Sequence, residues 1–287
     1  MRAKAECVGC LEDLARRTAE LAAADPVKKE EFLNQGLAYL NQNFSCEQIP
    51  TRLAGEMQKI IRTAGKNKDP FATVKTKEMK IARELAEKTG FALESSLDAL
   101  ISFAARGNSI DFFLALENLR EEMDKPVTLA RDDTPGLYSL LKSFKQAGKR
   151  KTILYFADNA GECYFDLPLI TALEEFADVI YIVKENPVQN DLTLKDLESS
   201  GIRDKFKNVI TTGTDSPGLD LSLAPEGFYD VLAKADLLFA KGMGYYETLP
   251  ELSLSGPVFL LLKAKCSPIA ESLNVPLNSY VALMLKQ

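Results

Sequence analysis

The chain has 287 residues, 46% of them hydrophobic, and sets 35 basic against 41 acidic side chains for a formal charge of −6. That length holds two modest domains or one domain with a large appendage, and the charge balance excludes a broad basic face for nucleic acid. No apolar stretch approaches the roughly 18–20 residues of a membrane span, and no signal-peptide hydrophobic region follows Met1, so a cytoplasmic protein with neither membrane nor nucleic-acid partners is expected.

In chain order, apolar residues first recur at helical spacing. The sets are Leu33-Leu37-Leu40, Leu53-Met57-Ile60-Ile61, Leu93-Leu97-Leu100-Ile101-Ala104 and Phe112-Leu116-Leu119-Met123. Each puts its apolar side chains on one helix face, and Pro26, Pro50 and Pro70 punctuate the run. Residues 124–136, with Arg131-Asp132-Asp133-Thr134-Pro135-Gly136, read as a linker. A helix follows with Leu137, Leu140, Leu141 and Phe144 inward, ending near Gly148. The texture then changes to short runs that are apolar on consecutive positions, at 152–157, 178–183, 208–212, 236–240 and 257–262. Strands covered on both faces read this way. Helical stretches at 167–176 and 192–200 alternate with them. The expected fold is α/β: a doubly wound, mostly parallel Rossmann-like sheet over residues 131–287, preceded by an all-helical cap domain over residues 1–130.

The chain contains no histidine, which removes Ser-His-Asp and Cys-His catalysis and any imidazole base. Chemistry falls to carboxylates, amides, Lys, Tyr, Cys or water, and oxygen ligands favour hard cations such as magnesium or manganese. Ligands of open parallel sheets bind outside the carboxyl ends of the strands. Those ends carry Asp158-Asn159-Ala160-Gly161-Glu162, then Lys184-Glu185-Asn186-Pro187 leading to Asn190-Asp191, then Thr212-Gly213-Thr214-Asp215. The last two carry Lys241-Gly242-Met243-Gly244 and Lys263-Ala264-Lys265-Cys266. Asp158, Asn159 and Asp191 together offer a cation two carboxylates and an amide oxygen. Lys241 and the amides around Gly242 and Gly244 offer charge and N–H groups to a phosphate.

Each residue also has an ordinary reading. Asp158-Asn159 are turn formers, Asp191 an N-cap, Gly242 and Gly244 turn glycines, Lys265 a solvated strand end, and Glu162 a first-turn carboxylate. The five cysteines, Cys7, Cys10, Cys46, Cys163 and Cys266, are odd in number and unevenly spaced, which fits a reducing compartment. Cys7-x-x-Cys10 reads as half a zinc site, as a redox pair, or as two thiols packed at a helix start. Cys163 and Cys266 read as small buried side chains near the site.

At these motifs the chain resembles the damage-control phosphatase family, long described as domain of unknown function 89, in its prokaryotic branch with an N-terminal CxxC. The resemblance covers nearly the whole chain. It runs from Cys7-Val8-Gly9-Cys10 through Gly107-Asn108-Ser109-Ile110-Asp111-Phe112 and Asp158-Asn159-Ala160-Gly161-Glu162. It continues through Asn190-Asp191-Leu192-Thr193 and Lys241-Gly242-Met243-Gly244-Tyr245-Tyr246-Glu247-Thr248 to Lys265-Cys266. It implies a cobalt-, nickel-, manganese- or magnesium-dependent phosphatase that clears small phosphorylated metabolites, sugar phosphates among them. Asp158, Asn159 and Asp191 match the metal ligands, the loop from Lys241 to Tyr245 the substrate phosphate loop, and Lys265 a substrate-contacting lysine. Glu162 and Asn190 stand in the same motifs beside the substrate. Asn108 and Asp111 either reach the site from the helical half or only cap their helices. The family pattern usually has Asn where this chain has Tyr245.

The expected mechanism is attack by a metal-activated water, with Lys241, Lys265 and loop amides stabilising the phosphoryl oxygens. An aspartyl-phosphate on Asp158 is disfavoured, because no second Asp follows two positions on. Two alternatives stand beside this reading. One is an S-adenosylmethionine-dependent carboxyl methyltransferase, against which no Gly-x-Gly-x-x-Gly follows the first strand. The other is a non-catalytic metal- or metabolite-binding module, towards which Tyr245 points.

Overall fold

The computed structural model describes residues 1–89, 96–109 and 125–285. Leu93, Asp111 and the periodic set from Phe112 to Met123 lie outside the described residues.

The first half is helical: α1 (Cys7–Ala22), α2 (Pro26–Asn43), α3 (Pro50–Ala64), α4 (Ala72–Lys88) and α5 (Leu97–Gly107). Proline opens α2 and α3, where its missing N–H costs nothing. The side chains of Asp25 and Ser96 accept from Val27 N and Ala99 N to cap α2 and α5. Helices α1–α3 share an apolar cluster of Leu11, Leu14, Phe32, Leu40, Leu53, Met57 and Ile61. Residues of α4 and α5, Met79, Leu100, Ile101 and Ala104, instead pack into the cluster on one face of the sheet.

The second half carries a seven-stranded sheet in the order β1-β7-β6-β5-β2-β3-β4. The strands are β1 (Leu129–Asp132), β2 (Thr152–Phe156), β3 (Asp178–Val183), β4 (Val209–Thr211), β5 (Leu237–Lys241), β6 (Val258–Lys263) and β7 (Tyr280–Leu285). β6 and β7 pair antiparallel; every other pairing is parallel. Helices α6 (Thr134–Gln146), α7 (Cys163–Leu173), α8 (Leu194–Ser199), α9 (Glu226–Ala233), α10 (Met243–Thr248) and α11 (Ser267–Leu273) flank it. Both faces are covered, which is why β5 and β6 are buried at every position. Within β2 the period of two divides the side chains: Ile153 and Tyr155 enter one apolar cluster, Leu154 and Phe156 the other.

All five expected strands are present, within a residue or two of their expected ends. Two further strands lie where none was expected. β1 falls in the stretch read as a linker, because a four-residue edge strand with charged, exposed side chains carries no apolar signal. β7 does carry one, the run Tyr280–Leu285, and joins β6 antiparallel at the end of the chain.

From β2 the chain steps outward through β3 to β4, then returns to place β5 on the other side of β2. The junction of β2 and β5 is thus the point where the winding reverses, and a crevice opens there at the carboxyl ends of the strands.

Candidate active site

The loop after β2 and the loop after β3 are joined by their backbones. Leu192 N donates to Asp158 O at 2.9 Å, Ala160 N to Asn190 O at 2.8 Å, and Asn159 bridges Asp191. Gln189, left-handed at φ 47°, turns the second loop back towards the first. Asp158, Asn159, Asn190 and Asp191 therefore meet at the winding reversal and line one cavity of about 180 Å³. Gly242, Gly244, Lys263, Lys265 and Asn108 line it as well, and α1 and α3 contribute Cys10, Leu11, Leu14, Thr51 and Ala54.

The carboxylates are held against their preference. Burial, then the charges of Glu162 and Asp191, push Asp158 well above the usual carboxylate range. Burial pushes Asp191 up to about 6, against the opposing pull of Lys184 and Lys75. Lys184 Nζ lies 3.6 Å from Asp191 Oδ2 and donates to Tyr245 Oη at 3.1 Å and to the Gly218 carbonyl. Burial lowers its own pKa.

This donor set suits a hard cation. Two crowded carboxylates present the excess of negative charge that a divalent ion neutralises. The Nδ2 of Asn159 donates to Glu162 Oε1 at 2.7 Å and Asp158 Oδ2 at 3.3 Å, so the oxygen is the end that a cation could use. A cation here would draw on the amide oxygen as well as the two carboxylates, because among the described residues no group of three or more Cys, Asp or Glu side chains is placed to hold a metal. The same holds at Cys7 and Cys10: Cys7 is buried and Cys10 exposed on the first turn of α1, with no third thiol or carboxylate making a cage there among the described residues.

Several expected substrate contacts lie elsewhere. Lys241 is fully buried and does not line the cavity. Its Nζ donates to Glu162 Oε2 at 2.6 Å, Asp166 Oδ1 at 2.7 Å and Ala104 O at 3.0 Å, so its three N–H groups are all engaged. Burial would lower its pKa, but Asp166 and Glu162 raise it further than burial lowers it. Glu162 is likewise fully buried beneath the cavity floor.

Tyr245 is buried too, tilted against Phe156 at 5.3 Å between ring centroids, with its hydroxyl at Lys184. It is not part of the cavity lining; the phenol packs into the core on Phe156. Gly242 N donates to Leu261 O at 3.0 Å, so that amide continues the sheet rather than facing a ligand. What Gly242 provides is space: at φ 82° a Cβ would lie 1.8 Å from Asp158 Oδ2.

Asn190 stays at the cavity, its Nδ2 donating to Glu78 Oε2 at 3.3 Å. Asn108 is 1% exposed, and its Nδ2 finds no hydrogen-bond partner among the described residues. Asp111 lies outside the described residues. Lys184 and Lys263 entered the sequence reading only as strand-terminal residues, yet the first is the buried partner of Asp191 and the second lines the cavity. Both lysines stand at the carboxyl ends of apolar strands, a signal present in the sequence that does not decide which way the side chain points. The walls from α1 and α3 had none.

The family model of the Damage-control phosphatase ARMT1-like domain matches residues 3–281. A damage-control phosphatase of Pyrococcus horikoshii is 34% identical over 294 aligned residues, covering 100% of this chain and 99% of the relative. A damage-control phosphatase of Archaeoglobus fulgidus is 27% identical, covering 98% of each chain. The crystal structure of a DUF89 family protein from Pyrococcus horikoshii superposes with a TM-score of 0.86 at 31% identity, covering 100% of both chains.

Proposed function

Because this chain belongs to the damage-control phosphatase family, we propose that it is a phosphatase of metabolite repair that hydrolyses small phosphorylated metabolites such as sugar phosphates, in dependence on a divalent cation. The observation that carries this reading is the convergence of Asp158, Asn159 and Asp191 on a cavity that Lys263 and Lys265 also line. Acidic oxygens beside ammonium groups are what a phosphate monoester and its metal require.

Asp158, Asn159 and Asp191 would hold the cation, which supplies Lewis acidity towards the phosphoryl oxygens. Lys265, Lys263 and the N–H group of Asn108, which line the same cavity, would receive phosphoryl oxygens and stabilise them as charge spreads in the transition state. Leu11, Leu14 and Ala54 limit the water around the reacting group. The cavity volume, about 180 Å³, favours a small substrate. It falls short of the roughly 300–1,000 Å³ clefts that take drug-sized ligands, which speaks against the methyltransferase reading.

The test is phosphate release from a panel of sugar phosphates and p-nitrophenyl phosphate by metal-stripped protein, with manganese, magnesium, cobalt and nickel added back singly. Release that needs a metal and disappears in Asp158→Ala supports the proposal. Binding of metal without release under any condition would leave a metabolite-binding module in its place.

A further inference from the structure

Glu162 joins two groups on opposite sides of the cavity floor. Its Oε1 accepts the amide N–H of Asn159, which faces the cavity, and its Oε2 accepts Lys241 Nζ, which is buried beneath. Lys241 is fixed in turn by Asp166 and by the Ala104 carbonyl of α5. Asp166 is held by the hydroxyls of Tyr155 at 2.8 Å and Tyr181 at 3.0 Å.

The two ends of a carboxamide fill the same space and differ in chemistry. Only the oxygen ligates a cation. A carboxylate paired with an ammonium group offers acceptors alone, so Asn159 can meet Glu162 with its nitrogen and not with its oxygen. Glu162 is 0% exposed and meets the amide directly at 2.7 Å, a separation with no room for a bridging group that could reverse the choice.

We propose that Glu162 and Lys241 are positioning residues that fix which end of the Asn159 amide faces the cavity, and so present the oxygen that ligates the cation. The inference rests on the metal-dependent reading of this site. It gives Lys241 a role that needs no contact with substrate.

Glu162→Gln tests it with little change of shape. The introduced amide must give its oxygen to Lys241, because its nitrogen cannot face an ammonium group; its NH₂ then turns to Asn159. The Asn159 amide is forced over and presents nitrogen to the cation. Calorimetric titration of metal-stripped protein with manganese chloride should show Glu162→Gln binding about 10- to 100-fold more weakly than wild type, the usual effect of losing a group that orients a ligand. The double variant Asn159→Asp/Glu162→Gln offers oxygen at both ends of residue 159 and should recover affinity to within about threefold of wild type.

Tyr181→Phe loosens the same network at its far side. It should lower the melting temperature without changing manganese affinity. Three results would overturn the inference: Glu162→Gln binding as wild type does, a double variant as weak as Glu162→Gln, or Tyr181→Phe weakening binding equally. Wild-type protein that binds no manganese would overturn the metal reading, and the inference with it.

Discussion

The carboxylate of Asp158 occupies the space that a side chain at position 242 would fill. The two residues follow neighbouring strands, β2 and β5, which pair in register up to Phe156 and Ala240. A glycine there lets the backbone leave β5 with positive φ and lets the carboxylate approach it closely.

Gly242→Ala therefore meets two costs: an extended backbone with positive φ that is essentially restricted to glycine, about 1–3 kcal/mol, and overpacking against a buried carboxylate, about 1–3 kcal/mol. The melting temperature should fall accordingly. Phosphate release should drop on the order of 100-fold, the scale of effect when a reacting group is displaced by about 1 Å. A variant with wild-type values for both would show that Asp158 moves aside freely.

Lys184→Met removes the ammonium partner of Asp191. Breaking a buried pair from one side costs about 3–5 kcal/mol. Metal-stripped variant should melt well below metal-stripped wild type. Manganese should then raise its melting temperature by more than it raises that of wild type, because the cation takes over the neutralising role of the lysine. Equal metal-induced shifts in the two proteins would separate Lys184 from the metal site.

Asn108→Ala should divide stability from function. Its Nδ2 is a buried donor without a partner among the described residues, so removing it relieves a penalty of about 1–3 kcal/mol, offset by lost packing. The variant should melt no lower than wild type while KM for a phosphorylated substrate rises about tenfold, the loss of one good hydrogen bond to a charged group. An unchanged KM would take Asn108 out of the substrate site.

Burial pushes Glu247 up to about 7 from an ordinary 4.5, although the backbone N–H of Thr51 donates to it at 3.1 Å. The folded chain thus keeps a proton that the unfolded chain releases between these two values. The stabilising share of Glu247 is full below the lower value and is lost as pH rises through the upper one. Glu247→Gln carries no such dependence. Its melting temperature relative to wild type should climb as pH is raised from about 5 to about 8, and a constant difference across that range would refute the shift.

The α/β half was legible because strands covered on both faces leave continuous apolar runs, and the residues that end them mark one rim. Asp158, Asn159, Asp191 and Lys265 were found in that way. Which of those residues point up to the cavity and which point down was not legible. Lys241 and Lys265 both follow apolar strands, yet one is locked by Glu162 and Asp166 while the other lines the cavity. That difference depends on acidic groups contributed by α7 and the turn before it, and no local pattern around Lys241 announces them. Tyr245 misled for a related reason: its place in the motif suggested a phosphate contact, whereas its volume decides that it packs on Phe156. Gln189 gave no warning of its left-handed backbone, since glutamine has no particular liking for it.

The cavity draws its floor and its wall from opposite ends of the chain. The floor is built on the sheet, on β2, β3, β5 and β6, where a shift in any one strand disturbs its neighbours. The wall comes from α1 and α3, which have an apolar cluster of their own and reach the α/β half through partly buried ion pairs such as Arg52 with Asp220 and Arg62 with Asp215. Substitutions at Leu11, Leu14 or Ala54 can reshape what the cavity admits while leaving the acidic cluster beneath untouched. The shape of the cavity and its acidic cluster thus rest on separate packing units, so the one can change while the other stands.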